Sequence, residues 1–122
     1  MNYITKSNGF TLIEVLVAVV ILSFSLLALA GLMVTTTKNN SFGNHMTEAA
    51  TFAQDKLEEL RAMRWENIPE GTSSDQKSGS TGINYGRNWT VATSGTLKTI
   101  TILINWQDKT NHSIKVTSVL SQ

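Results

Sequence analysis

A single carboxylate, Glu14, stands near the start of the run Gly9 to Leu22, and from Val15 the chain carries no charge until Lys38. A charged side chain within the hydrocarbon of a bilayer costs about 2 to 3 kcal/mol, so an acid here requires a reason. The positive end of a helix stabilises a carboxylate placed in its first turn. Phe10 and Glu14 are four residues apart and therefore share a helix face. The other candidate groups are scattered. His45 and His112 lie on different predicted elements with no second ligand at metal-binding spacing, and they read as surface histidines. Asp55, Glu58 and Glu59 alternate with Lys56 and Arg61, the pattern of a solvated helix face with paired charges rather than of an acid/base dyad. Asp75 and Asp108 fall in predicted loops that lack the dense oxygen pattern of a calcium site. Trp65, Trp89 and Trp106 read as core rather than as a stacking platform. These residues predict no catalytic centre, no metal and no cofactor.

The elements that carry these residues begin with twenty uncharged positions, Val15 to Val34. At about 1.5 Å per residue such a helix spans the roughly 30 Å hydrocarbon layer. An ordinary single-pass anchor explains the length but leaves Glu14 without a role. Ala28-Leu29-Ala30 before Gly31 has the small-residue pattern of a signal-peptide cleavage site, yet the apolar run ahead of it is long and contains an acid. The segment Thr35 to Asn44 is poor in helix formers and predicts a weak or melted turn. Amphipathic helical spacing returns from His45 to Trp65, with Met46, Ala49, Ala50, Ala53, Leu57 and Leu60 on one face; Pro69 follows its end. Glu70 to Gly82 holds four serines, two threonines and three glycines and predicts a mobile connection. Beyond it, alternating sets at Tyr85 to Thr93, Ile100 to Trp106 and Ile114 to Ser118 predict three strands, joined at Ser94-Gly95 and at Gln107 to Asn111 as an antiparallel meander.

The expected fold is α+β. A long N-terminal helix, membrane-spanning in its first half and amphipathic in its second, packs on a small antiparallel sheet of about three strands. The expected boundaries are 1–9 as a leader, 10–34 as the membrane helix, 35–66 as its continuation and 67–122 as the sheet region. Ten Lys and Arg against nine Asp and Glu provide no cationic field for nucleic acid. The absence of cysteine excludes a disulfide framework and a thiol nucleophile.

The leader with Lys6, the Gly9-Phe10 junction and the run Phe-Thr-Leu-Ile-Glu-Val-Leu-Val-Ala resemble the processing site of type IV pilins and of the pseudopilins of type II secretion. The resemblance implies cleavage by prepilin peptidase after Gly9, N-methylation of Phe10, and a part for Glu14 in subunit addition. The new amine and Glu14 would then lie at one membrane depth, each favouring an opposite charge in a neighbouring subunit; the simpler alternative is that Glu14 pairs with its own amine. Implied partners are other subunits through their N-terminal helices, the peptidase and an inner-membrane assembly platform. The implied location is the bacterial inner membrane, with the C-terminal domain outside the cytoplasm, and then a pilus or a periplasmic pseudopilus. Many major pilins carry a mid-helix proline where Gly31 stands here, and a disulfide-closed C-terminal loop. The hairpin from Ile104-Asn105-Trp106-Gln107-Asp108 to His112-Ser113-Ile114-Lys115-Val116 looks like that of V-type minor pilins and I-type pseudopilins. A bacterial or archaeal leader removes any weight from the glycosylation patterns at Asn88 and Asn111.

Overall fold

The computed structural model describes residues 8–122 and divides the chain into two units between Ser41 and Phe42. One helix, α1 (Leu12–Ala62), is followed by a single 3-10 turn, Trp65–Asn67. Four strands then run in sequence: β1 (Gly71–Ser78), β2 (Asn84–Ser94), β3 (Leu97–Gln107) and β4 (Asn111–Ser121).

In the first unit, α1 exposes apolar side chains on every side, and its most apolar stretch has a mean hydropathy of 2.8 with none of it buried. Such a helix is long and apolar enough to cross a bilayer. Its hydroxyls are turned inward onto the backbone: Ser23 and Ser25 donate to the carbonyls of Val19 and Ile21 at 2.7 and 2.8 Å. Thr35, Thr36 and Thr37 do the same to Gly31, Leu32 and Met33. These bonds satisfy groups that have no water to turn to in hydrocarbon. They also correct the expected melted turn, since α1 is unbroken through residues 35–44.

The second unit packs the end of α1 on an antiparallel sheet of order β1-β2-β3-β4. Ala49 and Ala53 are completely buried, and their small side chains admit Ile100, Ile102 and Ile104 of β3 to the helix surface. Tyr85 lies at the centre, edge-on to Phe52 with ring centroids 5.3 Å apart, and 5.7 Å from the buried Trp106. The inward sets from β2, β3 and β4 follow the expected alternation. The turn between β2 and β3 requires Gly95, whose φ of 62° suits a II′ hairpin.

Two expectations change. The connection read as mobile is largely a strand: β1 pairs with β2 from Gly71↔Val91 to Ser78↔Asn84, and the sheet has four strands rather than three. An edge strand exposed along nearly its whole length has no apolar alternation to show. What holds it is the ladder and Arg87, which is buried on β2 and donates through Nε and Nη2 to both oxygens of Asp75 at 2.8 and 2.5 Å. The tryptophans also differ in role. Trp106 is core, whereas Trp65 and Trp89 are half-buried and cover the ammonium groups of Lys98 and Lys56, 5.3 and 4.2 Å from their ring centres. Removing Asp75 leaves a buried guanidinium without its partner. Asp75→Ala is therefore expected to cost about 1 to 3 kcal/mol, and amide exchange should show β1 losing protection while β3 and β4 keep theirs.

Candidate functional site

Gly9 precedes α1 with open space around the position of a Cβ, so the Gly9-Phe10 bond is sterically accessible. Phe10 is 85% exposed. The helix start shows a relationship that the sequence reading missed. Thr11 Oγ1 accepts from the Glu14 amide at 3.3 Å, and Glu14 Oε2 accepts from the Thr11 amide at 3.5 Å. This is a reciprocal capping box, and its signal was present in the spacing Thr-x-x-Glu. The Glu14 carboxylate consequently turns back toward the residue that follows Phe10, and its Oε1 accepts no hydrogen bond among the described residues. Lys6 and the first part of the leader lie outside the described residues.

In the second unit, polar side chains tie α1 to the sheet. Glu48 Oε2 accepts from the Tyr85 hydroxyl at 2.8 Å, while Oε1 accepts from the Ser80 amide at 2.6 Å. His45 Nδ1 stands 3.2 Å from the same phenol oxygen. Because the phenol proton goes to Glu48, Nδ1 must carry the proton of that contact. His45 is thus buried, correcting its reading as a surface histidine, and it belongs to the packing of helix on sheet. The Ser80 amide, then the Tyr85 hydroxyl, hold the Glu48 carboxyl below its ordinary pKa. Burial first, and Glu48 second, push the Tyr85 phenol up. Gly79 is required beside them, since a Cβ there would stand 2.5 Å from Glu48 Oε2 and 2.6 Å from the Tyr85 ring.

The remaining candidates separate. Asp75 lies on β1 rather than in a loop, its carboxyl held down chiefly by the Arg87 hydrogen bonds. Asp108 folds the β3–β4 turn by accepting from the Thr110 amide at 2.9 Å, and that bond leads the lowering of its pKa. His112, half-buried, stands 3.2 Å from Asp108 and stacks near Trp106 and Phe42. Asp55, Glu58 and Glu59 are exposed on α1, with Glu59 reaching Lys56 at 2.7 Å. Among the described residues no three His, Cys, Asp or Glu side chains gather as a metal site.

The capping box predicts that Thr11→Ala raises amide exchange in the first turn of α1 about fivefold, equivalent to about 1 kcal/mol, whereas Thr11→Ser restores it. Glu48 gives a pH dependence. Its folded pKa is depressed, so its stabilisation is complete above the unfolded value of about 4.3 and is lost as pH falls through the lower folded value. Acidification below about pH 4 should therefore release the Gly79–Gly82 turn, followed by amide exchange, and Glu48→Gln should abolish that dependence.

Residues 4–30 match the family model for the prokaryotic N-terminal methylation motif. The match marks this N-terminus as that of a type IV pilin-like or pseudopilin-like prepilin, and the helix-on-sheet fold accords with the pilin architecture. No curated protein and no solved structure matches the chain.

Proposed function

We propose that this chain is a minor pilin, cut by prepilin peptidase between Gly9 and Phe10, methylated on the Phe10 amine and incorporated into, or priming, a type IV pilus. The observation that carries the reading is the exposed apolar surface of the first part of α1, which bears the matched methylation motif. A membrane satisfies that surface in the precursor, and the helices of neighbouring subunits satisfy it in a filament. Glu14 then acts as the register group. One oxygen serves its own helix start, and the other is directed to the methylated amine of an adjacent subunit, because an unpaired charge at that depth is costly. Assembly is the activity, without turnover of substrate.

A type II secretion pseudopilin is the second reading, favoured by the same motif and the same helix. The lack of a cysteine pair and the final hairpin, which resembles that of V-type minor pilins and of I-type pseudopilins alike, support a minor subunit over a major one. The C-terminal domain lies outside the cytoplasm in either machine.

Intact mass and N-terminal sequencing of protein from sheared filaments should give a chain beginning at Phe10 with one added methyl. Glu14→Ala should be cleaved normally and be absent from filaments. Its incorporation at the normal level would remove the register role, and a mature start at Gly31 would replace the filament reading with an exported soluble domain.

A further inference from the structure

The outward face of the sheet has a composition unlike its inward face. Register places Thr72, Thr90, Thr101 and Thr117 in one row across all four strands, with the Thr72 and Thr90 hydroxyls 3.1 Å apart. Among the outward strand positions Lys115 carries the only charge, whereas Asp75, Lys77, Arg87 and Lys98 fall on the inward register. Toward the β3–β4 turn this face opens into a depression of about 560 Å³, which wraps round the end of the sheet to Trp106 and His112 of the inward register. Its lining includes five carboxamides, those of Gln76, Asn84, Asn105, Gln107 and Asn111. Gly86 keeps the floor low, because a Cβ there would collide with the Asn105 carboxamide.

These carboxamides are chemically uncommitted. Apart from Asn84 Oδ1, which accepts from the Ser78 hydroxyl at 3.0 Å, none bonds to another protein group among the described residues. Each offers donors and an acceptor from one rigid plane, the combination that a sugar hydroxyl, itself donor and acceptor, can satisfy twice. A phosphorylated or acidic ligand would find no cluster of cations on this face. An added peptide strand would pair along the open edges of β1 or β4 rather than across the depression, where the β2 and β3 backbones are already paired on both sides.

We propose that this depression binds a neutral oligosaccharide, held through its hydroxyls by the carboxamides of Gln76, Asn105, Gln107 and Asn111. The site is independent of which filament the chain enters.

The test follows side-chain NH₂ resonances of the full chain in phosphocholine micelles, which contain no sugar, during titration with cellotetraose, maltotetraose and tetra-N-acetylchitotetraose. At least one is expected to shift the Gln76, Asn105 and Gln107 signals with a Kd of about 1 mM. Asn105→Ala and, separately, Gln107→Ala should each weaken that binding about tenfold, with the backbone signals of β3 outside the substituted position unchanged. No shift with any of the three at about 10 mM would overturn the proposal. So would an equal response to tetragalacturonate, which would reveal unselective binding, or the same signals moving on dilution without sugar, which would assign the face to contact between copies of the chain.

Discussion

A helix that is apolar around its whole circumference cannot rest in water, and among the described residues its most apolar stretch is left uncovered. The first unit is organised by that constraint. Its hydroxyls bond back onto the helix, so almost nothing polar projects sideways from Val15 to Val34. Ahead of this stretch, Thr11 and Glu14 satisfy each other's amides. Because the surrounding surface is uniform, nonpolar packing can hold such helices together but is nearly indifferent to sliding one along another. A lone acid at one end breaks that indifference. In the proposed filament, cohesion and register would therefore come from different atoms.

The second unit answers the opposite problem, how to join a helix to a sheet in a domain too small for an extensive core and without disulfides. Its core joins the β3 isoleucines to Tyr85 and Trp106, with polar contacts at the margins. Arg87 reaches the Phe52 carbonyl at 3.0 Å and Asp75 together; Lys98 reaches the Ile68 carbonyl at 3.1 Å; Arg61 reaches Ser118 at 2.7 Å. The Arg87 and Arg61 contacts fix how the helix sits on the strands, which nonpolar packing alone specifies loosely, and Lys98 ties the segment after the 3-10 turn to β3.

What could be read from the sequence depended on whether packing left a periodic trace. Three strands and the amphipathic helix were legible because residues such as Ile100, Ile102 and Ile104 alternate against one face. β1 was not, because an edge strand held by backbone bonds and one ion pair needs no apolar residue. The continuity of α1 through Thr35 to Thr37 was hidden for a different reason. Threonine's low helix propensity in water ignores the carbonyl that its hydroxyl finds one turn back. At the candidate site Glu14 was conspicuous by charge, while Thr11 passed unnoticed although the capping spacing was present. Buried His45 defied its composition class because its partner, Tyr85, is forty positions away along the chain.

The polar character of β1 has a consequence for the geometry of polymers. An exposed strand edge is a template on which another sheet can grow, and sheets that grow this way widen into ribbons and aggregates. β1 presents serines, Asp75 and Lys77 in place of a flat nonpolar edge, and its two ends are tied by side chains, Thr72 to Thr90 and Ser78 to Asn84. Lateral accretion through this edge is disfavoured. In the proposed filament, where subunits would join through their helices, this edge would favour growth in length over breadth, and the least hydrophobic strand would help to keep the fibre thin.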